Sequence, residues 1–125
     1  MNERGDEMNI DIKIEQLASD ITECQKILVA LGDESRQHII LEMLKMKRCT
    51  GARVGEITER TCLSRPSVSH HLQILKDAGI VKIRKEGTMN FYYFDADMKS
   101  FGKLIQMLSD AKDIMMQLPD RSGND

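Results

Sequence analysis

Long apolar runs are missing from this chain. The longest near-continuous one, Ile27 to Leu31, falls far short of the roughly 20 residues that span a bilayer, so no membrane contact is expected. Cysteine is sparse. Cys24, Cys49 and Cys62 are an odd count at irregular spacing, which excludes a disulfide framework and suits the reduced thiols of a cytoplasmic protein. The acidic, polar stretch Met1 to Asn9 has no basic-then-apolar order, so a secretory signal is not expected there. Internal repeats and low-complexity segments are absent. So are a motif-placed nucleophile with its base, a phosphate loop and an acid pair in a recognisable cleft. The expectation is a protein that is not an enzyme and carries no cofactor.

What is present is a soluble composition. Of 125 residues, 41% are hydrophobic and 30% charged, enough for one domain over 1–125 with one modest core. Residues 1–9 and 119–125 are expected to be flexible tails. The net charge of −2 argues against a nucleic-acid partner until its distribution is read. Residues 36–90 carry eleven Lys and Arg against five acids, while residues 1–35 carry three against nine and residues 91–125 four against six. A basic middle between acidic ends is the footprint of a DNA-binding face backed by a different surface.

Periodicity and punctuation place the elements. Ile10, Ile14, Leu17, Ile21, Cys24, Leu28 and Leu31 alternate in steps of four and three, a coiled-coil-like seam on one long first helix. Gly32 ends it, and Asp33 caps a second helix running to about Lys47 that buries Ile40, Leu41 and Leu44. A short third helix, about Gly55 to Thr61, precedes a turn at Cys62 and Leu63. Ser64 caps the fourth helix, Pro66 sits in its first turn, Val68, Leu72 and Leu75 face the core, and Gly79 ends it. Ile80 to Arg84 and Asn90 to Phe94 read as strands around a Gly87 turn. Asp95 caps a last helix, about Ala96 to Leu118, whose apolar residues wrap more than one face. Such a helix is expected to be shared with a partner.

The order of short helix, tight turn, capped helix and β-hairpin predicts a mainly α winged helix-turn-helix fold, with about five helices and one hairpin wing. The fourth helix offers Arg65, Ser67, Ser69, His70 and Gln73 opposite its buried stripe, side chains able to reach base edges in a major groove about 12 Å wide. Arg65, Ser67, Ser69 and His70 are the expected base readers, with Pro66 at the same helix start. Lys76 lies further along, where a phosphate is the expected partner, and Lys82, Arg84 and Lys85 lie in the wing, a basic turn suited to track a neighbouring phosphate ridge or minor groove.

Three stretches carry a resemblance. Ala30-Leu31-Gly32-Asp33-Glu34-Ser35-Arg36, the string from Leu63 to Val81 around Ser64-Arg65-Pro66-Ser67-Val68-Ser69-His70-His71-Leu72, and Arg84 to Tyr93 around Glu86-Gly87-Thr88 resemble the ArsR/SmtB family of bacterial transcriptional repressors. The similarity runs in order from about Lys26 to Leu118. It implies a homodimer built on the first and last helices, a palindromic double-stranded DNA operator near its own promoter, and release by an inducer that the sequence does not identify.

Many members of that family sense metals, and here the pattern departs from them. One family site is a pair of thiolates separated by one residue. Aligned through Ser64-Arg65-Pro66, those positions are Arg53 and Gly55. A second family site uses Asp, His and Glu pairs on the last helix, where this chain has four aspartates but neither histidine nor cysteine between Asp95 and Leu118. Zinc and thiophilic metals want N or S ligands, so no family-type metal site is expected. Cys49, in a loop, and Cys62, half buried in the turn, are the candidate redox thiols. Cys24 reads as a packed core thiol, His71 as a structural histidine, His70 as a DNA-side residue and His38 as a surface one. The competing function, a winged-helix protein-interaction module without DNA binding, would show acidic or apolar residues on the recognition face, where this chain is basic and polar.

Overall fold

In a computed structural model, the structure describes residues 3–119 and 122–123, with residues 3–8 as backbone. Among them six helices and one hairpin follow in order: α1 (Glu3–Glu23), α2 (Gln25–Leu31), α3 (Glu34–Met46), α4 (Val54–Thr61), α5 (Arg65–Asp77), β1 (Val81–Glu86), β2 (Met89–Phe94) and α6 (Lys99–Gln117). No helix among them is long and apolar enough to cross a membrane. The chain, expected as one domain, divides into two compact units, Lys26–Phe101 and Met1–Gln25 with Gly102–Asp125.

The first unit holds the helix-turn-helix and the wing. Its core is Ile39 from α3, Ile57 from α4, Val68, Leu72 and Leu75 from α5, and Ile80 and Val81 at the start of the wing, all fully buried. Ser64 caps α5 as its position predicts, its hydroxyl accepting from the Ser67 N–H at 3.2 Å. The other end closes as a Schellman motif. Ile80 N–H donates to the Leu75 carbonyl at 3.0 Å and Gly79 N–H to that of Lys76 at 2.9 Å, with Gly79 left-handed at φ +79°.

α2 meets α3 at a tight corner. The last carbonyls of a helix lack intrahelical donors. Here Arg36 supplies them, through Nε to Ala30 at 2.8 Å and Nη2 to Val29 at 2.9 Å, and Gln37 Nε2 reaches Leu31 at 2.7 Å. Asp33 caps α3 by accepting from the Arg36 N–H at 3.0 Å. Arg36 Nη1 also donates to His71 Nδ1 at 3.2 Å, so α5 is tied to the same corner. Because arginine has no acceptor, His71 must carry its proton on Nε2.

The wing is an antiparallel pair in the register Val81 to Phe94 through Glu86 to Met89. Gly87, at φ +63°, opens a two-residue turn with positive φ at its first central position only, the pattern of a type II′ hairpin. The wing is pinned at its middle by an isolated bridge between Ala52 and Tyr92, two backbone bonds of 2.8 Å. Gly51, left-handed at φ +94°, delivers Ala52 to that bridge, and a Cβ there would come within 2.7 Å of the Tyr92 carbonyl oxygen.

The second unit contains α1 and most of α6. Leu104, Met107 and Ile114 form the buried face of α6, and Lys103 pairs with Glu23 at 3.9 Å. The other side of α6 is uncovered: Ile105 is 66% exposed, Leu108 53% and Met115 67%.

Four expectations need correction. The long first helix is broken at Cys24, whose N–H is shared between the carbonyls of Asp20 and Ile21, so that α1 ends and α2 starts afresh with Ile27 and Ala30 inward. The heptad seam is therefore not one continuous stripe. In α3 the buried face is Arg36, Ile39 and Met43; Ile40 is half-buried, and Leu41 and Leu44 are exposed, because the Arg36 anchor sets the rotation of the helix. The last helix starts at Lys99 rather than Ala96. Asp95 accepts from the Asp97 N–H at 3.1 Å in a local turn, and Met98 is left-handed at φ +48°, which no helical residue adopts. Finally, Glu3 to Asn9, expected in a tail, form the first turns of α1. Acidic residues at a helix N-terminus are favoured without any apolar seam to announce them. Residues 1–2, 120–121 and 124–125 of the expected tails lie outside the described residues.

Two stability measurements check this construction. Gly51→Ala forces a side chain into a left-handed position against backbone that cannot retreat, and should cost about 1–3 kcal/mol in urea unfolding; an unchanged midpoint would show that the bridge does not pin the wing. His71 gives a pH dependence. Burial holds its imidazole below the ordinary 6.5, opposed by Asp33 and reinforced by Arg36 and His70. The unfolded chain therefore takes up this proton first, so the stability held above about pH 6.5 is lost as pH falls toward the lowered folded value. The urea midpoint should drop between pH 7.5 and 5.5, and His71→Asn, which keeps an acceptor near Nδ1, should flatten that drop. Equal slopes in both proteins would remove His71 from the linkage.

Candidate nucleic-acid interface

α5 presents a polar face opposite Val68, Leu72 and Leu75. Arg65, Pro66, Ser69, His70, Gln73 and Lys76 are exposed on it and Ser67 is half-buried. Hydroxyl, imidazole and amide groups on exposed helical turns have the size and donor–acceptor character to meet base edges. They are not equally free. Gln73 Nε2 donates to Asp77 at 3.0 Å, and the His70 ring leans on His71 with centroids 5.7 Å apart. Ser69 and Lys76 make no side-chain hydrogen bond or ion pair among the described residues.

The wing separates its three candidate cations. Lys82 pairs with Asp95 at 3.5 Å. Arg84 donates through Nη2 to the Thr50 carbonyl at 2.8 Å and through Nε to Glu86 at 3.0 Å, and its guanidinium lies 5.1 Å from the Phe91 ring centre. It fastens the wing to the loop before Gly51. Lys85 alone of the three has no partner among the described residues and is exposed.

A polar concavity of about 330 Å3 opens between the first turn of α4, the start of α5 and the wing. Arg53, Gly55, Glu56, Arg65, Thr88 and Asn90 line it. The sequence offered no periodicity or charge run that would have joined Arg53, Thr88 and Asn90 to the interface, because they converge only in three dimensions. Arg65 lies across the start of α4 here: a Cβ on Gly55 would sit 3.9 Å from its Nη1. Glu56 is committed elsewhere. It accepts from Arg48 and from the Arg53 N–H, the latter at 3.2 Å, and the Arg48 hydrogen bond first of all holds its carboxyl below the usual range.

The three thiols are free. Cys24 is buried and Cys49 exposed, as expected. Cys62, expected half buried, is exposed, because it closes α4 in a left-handed conformation at φ 59° that turns the chain outward. His38 is on the surface. No group of three or more His, Cys, Asp or Glu side chains among the described residues is arranged to hold a metal ion.

This arrangement has known counterparts. The family model described as bacterial regulatory protein, arsR family, matches residues 33–82. An HTH-type transcriptional regulator of Methanocaldococcus jannaschii is 45% identical over 85 residues, which cover 66% of this chain and 91% of that protein. The transcriptional repressor SdpR of Bacillus subtilis is 29% identical over 79% of this chain and 96% of its own length. Among solved structures, the homodimeric winged helix-turn-helix DNA-binding domain from Mycobacterium bovis superposes with a TM-score of 0.55 at 26% identity, covering 74% of this chain and 83% of that one. The strongest of these likenesses extends over nearly the whole of the archaeal protein, and the family match covers α3, α4, α5 and the turn that joins them. This chain is thus a winged helix-turn-helix transcriptional regulator of the ArsR family.

Proposed function

We propose that the protein is a repressor that binds a palindromic double-stranded operator as a homodimer and leaves it when an inducer binds. The observation that carries this reading is the face of α5, capped at Ser64 and exposing Ser69, His70 and Lys76 beside the wing. The N-terminal turns of such a helix enter the major groove, and Lys85 on the wing meets a neighbouring phosphate. SdpR is a repressor and the Mycobacterium bovis domain a homodimer, which supports the same roles here. No apolar or acidic patch occupies the recognition face, so the protein-interaction reading has nothing to favour it.

The dimer rests on the uncovered side of α6. Ile105, Leu108 and Met115 recur in steps of three and seven, so they form one stripe, and α1 leaves Ile14 and Ile21 exposed on its seam. Helical stripes of this kind lose free energy to water until a second copy covers them. Placement in the cytoplasm, where the operator is, belongs to the same proposal. The inducer has no assigned site. Cys49 and Cys62, both accessible, are the places where an oxidant would act, and the absence of family-type metal ligands at Arg53 and Gly55 turns the search toward signals other than a thiophilic metal.

Selection of duplexes from a random library by the purified protein tests the function. The expected product is a two-fold site with half-sites about 10–10.5 base pairs apart, centre to centre; failure to enrich any sequence would reject DNA reading. The double variant Ile105→Glu, Leu108→Glu alters only exposed side chains. It should sediment as a folded monomer where the wild type sediments as a dimer, and an unchanged mass would move the interface elsewhere.

A further inference from the structure

The concavity at Arg53 and Arg65 is electrostatically unbalanced. Neither guanidinium has a carboxylate partner among the described residues, and the one acid in the wall, Glu56, is already taken by Arg48 and by the Arg53 N–H. Arg65 occupies the first position of α5, whose first turn has no acidic residue, and a cation there opposes the helix dipole. Arg53 stands at the N-cap of α4, where its side chain makes no capping hydrogen bond and its guanidinium has no hydrogen-bond acceptor or ion-pair partner among the described residues. Two arginines and two helix starts thus face one open volume, and Thr88 and Asn90 add a hydroxyl and an amide from the wing. Gly55 matters because it has no side chain: the Arg65 guanidinium lies over the space that a longer residue would fill.

We infer that this concavity seats a phosphate group of the DNA backbone, held between Arg53 and Arg65, so that Arg65 positions the reading head rather than reads a base. The inference rests on the DNA-binding reading above and alters the role expected of Arg65 from the sequence. The ligand class is a tetrahedral oxyanion. Its source is the duplex, because the concavity opens between the start of the recognition helix and the wing, the two elements that flank a groove. A phosphate there would be cradled by side chains from three successive elements, fixing α5 in register before any base is met.

The test uses the duplex selected by the wild-type protein and a shuffled duplex of equal length and composition. A phosphate ligand predicts that Arg65→Ala weakens binding to both by a similar factor, roughly three- to tenfold, and lowers the log–log salt slope by about 0.9 per protomer. Gly55→Asp is the second variant. An acid in the first turn of α4 favours that helix, so the fold is not at risk, but its carboxylate would compete for Arg65 and should reproduce the uniform loss. Loss of discrimination with an unchanged salt slope in Arg65→Ala would make Arg65 a base reader and overturn the inference while leaving DNA binding intact. Undiminished affinity in Gly55→Asp would equally overturn it. Inorganic phosphate, titrated without DNA and followed by NMR at Gly55 and the Arg65 Nε–H, distinguishes the other source. Saturable binding of phosphate alone, with duplex affinity untouched by either variant, would assign the concavity to a free anion. A wild-type protein that enriches no duplex would remove both this inference and the function it rests on.

Discussion

Arg36 is the side chain on which the geometry of the reading head depends. It is buried, and its guanidinium reaches both to the last carbonyls of α2 and to His71 on α5, while the backbone N–H of the same residue donates to the Asp33 cap of α3. A buried guanidinium is tolerable only where its donors are met, and here each of its three nitrogens has an acceptor. Loss of any one acceptor would leave charge unsolvated in the core, so the corner has one low-energy arrangement rather than several. The same bond set decides which side of α3 faces inward. It also decides the tautomer of His71, and through His71 the rotation of the helix that carries Ser69 and His70.

The wing is held by a second, independent constraint. Gly51 admits a close backbone approach, Ala52 pairs with Tyr92, and Arg84 ties the hairpin to the Thr50 carbonyl while its guanidinium lies beside Phe91. This has an electrostatic consequence. A cation that anchors structure is partly neutralised and held in place, so Arg84 and Lys82 contribute less to attracting a distant phosphate than their charge suggests. On the face formed by the start of α4, α5 and the wing, free positive charge among the described residues is left to Arg53, Arg65, Lys76 and Lys85. The reading face is therefore more sharply focused than the charge count of residues 36–90 implies.

What could be read from the sequence and what could not divide along physical lines. Local chemistry was legible: the Ser64 cap, the Pro66 start, the Gly79 stop and the Gly87 turn each follow from backbone preferences that act within a few residues. The stripe Val68, Leu72 and Leu75 was legible because it is purely aliphatic and periodic. The inward face of α3 was not, because its key member is an arginine, and apolar counting assigns Leu41 and Leu44 to a core they do not enter. The break at Cys24 leaves the heptad spacing of the letters intact and so makes no mark in it. Of the candidate interface, the α5 face was placed correctly as an exposed surface, whereas the attachments of Arg84 to Thr50 and of Lys82 to Asp95 and the convergence of Arg53 with Thr88 and Asn90 depend on pairings between 13 and 37 residues apart in sequence that no local rule encodes.

The overall charge of −2 then takes on a physical sense. Long-range attraction to a polyanion scales with net charge, while contact at a groove scales with the few cations that reach phosphates. A chain with acidic residues concentrated in 1–35 and 91–125 has little drive to settle on arbitrary duplex, yet keeps its local cations where the recognition helix and wing meet. Non-specific affinity is set almost wholly by counterion release, so keeping the free cations few lowers it directly. In the proposed function, sequence discrimination depends on the exposed face of α5, with Ser69 and His70, arriving in register, and register depends on rigid attachment of α5. The buried polar corner at Arg36 and the acid-rich ends of the chain are in this sense parts of one solution: the first fixes where the helix points, and the second ensures that pointing correctly is what decides binding.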